Sequence, residues 1–214
     1  MQWPVSRWYV NQRKHWEEVY TNKPADKLGW YEPHLQISLR WIKALGLAKD
    51  ARIIDVGGGA STLIDDLLND SHTAVTVLDL SGKALSVARA RLDTRAETVT
   101  WLTGDITSID LPENYYDLWH DRAVFHFLTT PLQQEQYRGN LSKALKPGGY
   151  VIIGTFAPEA PPTCSGLPVQ RYSAGQLQNT LGHEFELQQH QKELHVTPGG
   201  VEQMYLYCQF RRKI

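Results

Sequence analysis

Apolar positions along the 214-residue chain change spacing as the chain proceeds. Over the first fifty residues they recur in steps of three and four. This predicts one helix from Arg13 to about Tyr20 and a second from Pro33 to Leu47, the latter carried by Leu35, Leu39, Ile42, Ala44 and Leu45. From Ala51 onward, short continuous apolar runs alternate with helical ones. ARIIDV precedes STLIDDLLND, AVTVLDL precedes SGKALSVARARLDT, and VTWLTGD follows. The rhythm continues through YYDLWHD, helical stretches from Ala123 to Leu128 and from Leu132 to Leu145, the turn Lys146-Pro147-Gly148-Gly149, and YVIIGTFA. Apolar strands separated by helical segments mark βαβ units, whose parallel sheet is covered on both faces. At Ala157 the texture changes, and APEAPPTCSGLPVQRYS gathers proline, glycine and small polar residues into a long loop. A helix from Ala174 to Leu181, stopped by Gly182, then leads into FELQQHQKELHVTP and VEQMYLYCQF, a closing hairpin around Pro198-Gly199-Gly200.

The predicted fold class is therefore α/β, a three-layer α/β/α sandwich on a mostly parallel seven-stranded sheet with the last strand antiparallel. No repeat or linker divides it. A single domain of 1–214 is expected, with lid helices in 1–48, a binding core in 49–157, and a loop, helix and hairpin in 158–214.

Composition narrows the partners. A net charge of −1, with Arg211-Arg212-Lys213 as the only basic run, offers no field for a phosphate backbone, so nucleic acid is not expected. Cys164 and Cys208 are far apart and outside any C-x-x-C pattern, which argues against a disulfide framework or zinc site and for a reducing, cytoplasmic setting. The lead MQWPVSRWYVNQRKHW has no continuous apolar core, and no uncharged run reaches membrane-spanning length; no membrane is expected.

Three consecutive glycines follow the first strand in RIIDVGGGAST. Glycine loses the most backbone entropy on folding, so such a cluster marks left-handed dihedrals or a close approach. It stands at the carboxyl edge of the sheet, where open α/β folds bind nucleotide-like ligands. A G-x-G-x-x-G fingerprint begun at Gly57 needs glycine where Thr62 stands, which counts against a nicotinamide dehydrogenase, and a phosphate-binding loop lacks its G-K-[ST]. What remains is D-x-G-x-G with Asp55 at the strand end, and Asp79 closing the next strand, where a carboxylate can accept both hydroxyls of a ribose. Gly104-Asp105-Ile106 follows the third strand with an acid for an exocyclic amine and an apolar neighbour for a purine face.

In this order, DVGGGAS, VLDLS, TGDI, YYDLWHDRAVFHFL and LKPGGYVIIGTF resemble the class I S-adenosylmethionine-dependent methyltransferases, over Arg52 to Phe156. The resemblance implies a Rossmann-like domain that binds S-adenosyl-L-methionine, yields S-adenosyl-L-homocysteine and needs no metal. It implies that Gly57, Gly58 and Gly59 approach the amino-acid half of the cofactor and that Asp55 positions its ammonium. By the same resemblance Asp79 and Leu80 hold the ribose, Asp105 and Ile106 frame the adenine, and His120 lies near the sulfonium. Trp16 and Tyr20, with Trp30 after them, are similar to the entry helix of some small methyltransferases, protein-lysine enzymes included, whose aromatics fold over the cofactor. Trp16 and Tyr20 share a helical face, and a sulfonium favours aromatic rings.

Methyl transfer from a sulfonium is an in-line displacement at an activated carbon. The protein supplies alignment and water exclusion, and a base only when the nucleophile arrives protonated. Candidates for that base are His120, Asp121 and His126, with Arg122 beside them at the end of the fourth strand. Lysine-methylating relatives usually carry an acid-Lys-Gly-Thr run here; His120-Asp121-Arg122-Ala123 replaces it. The loop and hairpin add Cys164, Arg171, Tyr172 and His195 as candidate acceptor-binding residues, Arg171 through its bidentate fork. The expected function is methylation of an O, N or S atom of a small-molecule acceptor. A protein (lysine) methyltransferase and a catalytically silent cofactor-binding partner are the alternatives.

Overall fold

The computed structural model describes residues 5–214, with side-chain surroundings from Gln12 onward. Residues 1–4, part of the lid segment and of the lead read for a leader, lie outside the described residues. Helix α1 (Val5–Asn22) and helix α2 (Gln36–Ala44) precede the sheet. Then β1 (Ile53–Val56), α3 (Leu63–Asn69), β2 (Val75–Asp79), α4 (Gly82–Leu92), β3 (Thr100–Thr103) and β4 (Tyr116–Arg122) alternate. Helix α5 (Pro131–Ala144) and β5 (Leu145–Phe156) complete the parallel part; a small ribbon of β6 (Thr163–Cys164) and β7 (Leu167–Pro168), helix α6 (Ala174–Leu181), and the hairpin β8 (Phe185–Val196) and β9 (Glu202–Arg212) follow.

Seven strands form one sheet in the order β3-β2-β1-β4-β5-β9-β8, with β9 antiparallel to β5. β1 and β2 are buried along their whole length, which is why they read as unbroken apolar runs. On one face α5 and α6 pack Tyr137, Leu141 and Leu177 against Trp119 and Phe210. On the other, α2, α3 and α4 pack Trp41, Leu63 and Leu85 against Ile53 and Leu118. Strand order reverses between β1 and β4, so the crevice of the fold opens at their carboxyl ends. Over that edge α1 lays Trp16 and Tyr20, packed with Leu28 and Trp30. Glu17 pins the helix there by accepting from Gly82 N (2.8 Å) and Lys83 N (3.1 Å), free donors at the start of α4.

Several elements differ from the pattern. The second helix is shorter than 33–47, and the stretch 123–128 holds one tight turn at Phe125–Phe127 in place of a helix. Ala123 at φ 70° breaks the helical path, and the Asp121 carboxylate takes the Val124 and Phe125 amides. Lys146-Pro147-Gly148-Gly149 is not a separate turn but an irregularity inside β5: pairing moves from Tyr116↔Leu145 to Leu118↔Tyr150 and loops those residues out. In the long loop, Ser165 (φ 51°) and Gly166 (φ 76°) form the two-residue corner of the β6–β7 ribbon.

Candidate active site

Above the carboxyl ends of β1, β2 and β4 lies an open cleft whose space, with the solvent at its mouth included, is about 820 Å³. Leu80, Gly104, Asp105 and Ile106 wall the β2–β3 end; Gly57 and Asp79 form the middle; Trp16, Trp30, Phe127 and Cys164 wall the far end. A second hollow of about 500 Å³, lined by Asp55, Gly58, Thr62 and His120, adjoins it, and Tyr20, Trp30, Gly57 and Arg122 belong to both.

The glycines are demanded by the protein's own packing. Gly57 sits at φ 68°, and a Cβ there would meet Val124 Cγ2 at 1.9 Å. Gly59 at φ 40° would drive its Cβ to 2.7 Å from Asp79 Oδ2. Their bare backbone thus lets the turn after β4 and the acid ending β2 crowd the same loop. Asp79 is buried, and its Oδ1 accepts from Ser81 N at 2.8 Å. Burial pushes its carboxyl up to about 7, against the pull of that hydrogen bond, with Asp55 adding to the rise. Asp105 Oδ1 accepts from the Thr107 amide and hydroxyl, each at 2.8 Å, which fixes the turn that carries Ile106.

Asp55 and His120 form a buried chain. His120 Nδ1 donates to Asp55 Oδ1 at 2.6 Å, and its Nε2 takes the Ser38 hydroxyl at 2.8 Å. Both ring nitrogens are engaged, while Asp55 Oδ2 is buried without a partner among the described residues. Ser38 escaped sequence reasoning because it lies 82 residues from His120, inside an otherwise apolar helix face.

The other two base candidates stand away from the cleft walls. Asp121 faces the opposite side of the sheet, accepting from the Tyr137 hydroxyl (2.7 Å) and the Val124 amide (2.9 Å); burial lifts its carboxyl to about 6. Alternation along β4 explains the placement, since neighbours of His120 and Arg122 must point the other way. His126 is buried between Phe127 and Phe156, takes the Phe156 amide on Nδ1, and is pushed down to about 3 by burial and by Arg122.

Of the four acceptor candidates, Cys164 alone reaches the cleft wall, and burial pushes its thiol up to about 12. Arg171 is exposed and braces its loop, donating to Pro158 O (2.9 Å) and Ala160 O (3.0 Å). Tyr172 turns inward beside Phe125 and accepts from Gln134 Nε2 at 3.0 Å. His195 clamps the lead segment from β8, its two nitrogens each 2.6 Å from Glu32 Oε1 and Gly29 O. That clamp holds the Trp30 segment in place.

The far end of the cleft centres on Arg122. Its Nε donates to Tyr207 Oη (2.8 Å), its Nη1 to Trp30 O (2.7 Å), and the guanidinium lies 4.4 Å from the centre of the Tyr205 ring. Nη2 is buried with no partner among the described residues. Trp16 packs edge-on against Trp30 (5.5 Å) and Phe127 (5.2 Å), making an aromatic roof beside it. Phe127 was visible only as a neighbour of His126, since its exposure to the cleft depends on the broken helix.

Comparison with known proteins agrees with this fold. Residues 53–149 match the family model described as a methyltransferase domain. The ubiquinone/menaquinone biosynthesis C-methyltransferase UbiE of Ruegeria sp. (strain TM1040) is 31% identical over 111 residues, 50% of this chain and 42% of that protein. The chain thus spans less than half the length of that relative. The EEF1A lysine methyltransferase 2 of Homo sapiens is 18% identical over 158 residues, 67% of each chain. Among solved structures, Burkholderia thailandensis 1,6-didemethyltoxoflavin-N1-methyltransferase, with bound 1,6-didemethyltoxoflavin and S-adenosylhomocysteine, superposes with a TM-score of 0.71 at 17% identity, covering 100% of this chain and 94% of that one. Among the described residues no helix is long and apolar enough to cross a membrane, and no three His, Cys, Asp or Glu side chains cluster as metal ligands.

Proposed function

We propose, for a chain that belongs to the class I S-adenosylmethionine-dependent methyltransferases, that it methylates a small-molecule acceptor seated under the aromatic roof. When bound, S-adenosylmethionine supplies a methyl group already activated on a sulfonium. The residues present fit that donor. Asp55 Oδ2, buried and unpartnered, suits its ammonium, and Asp79 at the end of β2 suits a ribose diol. Asp105 and Ile106 lie where an adenine edge and face would rest. His120 acts here as a positioning residue, holding Asp55 with one oxygen free. The observation that carries the reading is these two buried acids flanking the glycine loop at the strand-order reversal.

A small acceptor is supported by walls made of Trp16, Trp30, Phe127 and Cys164, which suit a compact apolar body. The relative named for quinone biosynthesis and the toxoflavin-pathway structure point the same way. The human lysine methyltransferase supports a second reading, a protein acceptor, against which stands His120-Asp121-Arg122-Ala123 in place of an acid-Lys-Gly-Thr run. Two free, buried cysteines support a reducing cytoplasmic setting.

Isothermal titration with S-adenosylhomocysteine tests the premise; absence of binding removes it. Incubating cell lysate with the chain and radiolabelled methyl donor separates the two acceptors. Label confined to the small-molecule fraction is expected, and label on protein alone rejects the small acceptor.

A further inference from the structure

We infer that the acceptor is a carboxylic acid, held as its carboxylate by Arg122 and methylated on oxygen to give a methyl ester. The inference rests on the methyl-transfer reading above. Arg122 is permanently charged, and two of its three nitrogens are bound by Trp30 O and Tyr207 Oη. Nη2 is a buried donor pair with no partner among the described residues, on a side chain that lines both hollows. The carboxylate that acts on it from within the chain, Glu193, does so from behind Tyr207. A buried cationic donor without a partner is costly, and an anionic ligand relieves that cost with a charge-assisted hydrogen bond. The aromatic roof beside it accepts an apolar or flat body attached to the acid.

The acids lining the hollow beside this cation have other tasks: Asp55 is held by His120, its free oxygen suited to the donor's ammonium, and Glu32 is held by His195. His120 is held at both nitrogens, and Asp121 and His126 are turned away into the core. Tyr20 and Cys164 retain their protons, and of the other wall acids Asp79 lies mid-cleft, where it suits the ribose diol, and Asp105 at the β2–β3 end. A nucleophile that arrives protonated, such as an ammonium or an alcohol, would have to give its proton to water rather than to a side chain beside it. A carboxylate has none to lose. One of its oxygens takes the Arg122 donor, and a lone pair on the other forms the new C–O bond as the bond from methyl to sulfur breaks. That electron pair remains on sulfur; the products are a neutral ester and a neutral thioether, and no proton is released.

The test uses the full chain, methyl-labelled S-adenosylmethionine and a deproteinised cell extract, with mild alkali applied to the labelled product. Label released as methanol is expected, because only an ester yields under those conditions; label that survives as an N-, S-, C- or ether-bound methyl overturns the inference. Arg122→Lys keeps the charge and loses the fork. Its KM for the labelled acceptor is expected to rise at least tenfold while the calorimetric Kd for S-adenosylhomocysteine stays within twofold. An unchanged KM, or parallel loss of both constants, overturns the role given to Arg122. Failure of S-adenosylhomocysteine to bind, or binding without any labelled product, rejects the methyl-transfer reading itself, whereas base-stable label rejects the carboxylate alone.

Discussion

The two ends of the cleft are built on opposite plans. On one side Asp105 at the cleft's end, Asp79 in its middle and Asp55 in the adjoining hollow stand at or just past the ends of three neighbouring strands, within a single stretch of chain, and their positions follow from the sheet. At the other end Trp16 comes from α1, Trp30 from the segment before α2, Arg122 from the end of β4, Phe127 from the turn beyond it and Cys164 from the ribbon. The first is acidic and rigid; the second is cationic and aromatic and is carried largely by loops. The difference teaches where variation is tolerated. A strand end cannot move without disturbing the core, whereas a loop wall can be exchanged while the sheet beneath it stays as it is.

The sharpest way to break this contrast is to remove an acid from the rigid end. Asp79→Ala is expected to weaken S-adenosylhomocysteine binding about 100-fold, roughly 3 kcal/mol for two lost charge-assisted hydrogen bonds, by titration calorimetry. Its melting temperature should not fall at pH 8, because a buried charge has been deleted; a large fall would make Asp79 structural. Asp121→Asn should do the reverse. Disturbing the acceptor of the Tyr137 hydroxyl and two amides is expected to cost about 2 kcal/mol in urea unfolding, with cofactor affinity changed less than about threefold. Lost turnover at full stability would return Asp121 to the chemistry.

Protonation gives a smaller effect. Asp79 holds its proton to about 7 when folded, against an ordinary carboxyl value near 4. The folded state therefore binds more protons than the unfolded one between those values, and the ligand-free protein loses stability as pH rises from about 4 to about 7. Binding of a diol needs the ionised form. Affinity for S-adenosylhomocysteine is expected to rise about tenfold from pH 6 to pH 8, and a flat profile would contradict the role of Asp79. Smallest is Cys164→Ala, where a thiol pushed up to about 12 acts as wall alone; kcat within about twofold is expected, and loss of turnover would mark it as a nucleophile.

The rigid end was legible in the sequence because its cues are local: a glycine loop, then an acid one strand later, then another. The far end was not. Arg122 could be placed at the end of β4 from the pattern, yet its unpartnered Nη2 depends on Trp30 O and Tyr207, which are 92 and 85 residues away. Arg171 was read as an acceptor clamp through its bidentate fork; two backbone carbonyls of its own loop hold it instead. His195 was expected on the wall and instead holds Glu32 and Gly29, a pairing across 163 and 166 residues that no short window reveals. The helix expected at 123–128 failed for a local reason that was readable in principle, an acid placed to cap the turn after it.

Glu17 reaches over to the first amides of α4 and contributes nothing to the walls of the cleft. Because that carboxylate ties α1 to α4, Glu17→Gln is expected to loosen the helix that carries Trp16 and Tyr20 and so to speed exchange of a ligand lying beneath it, read as a faster dissociation rate of S-adenosylhomocysteine.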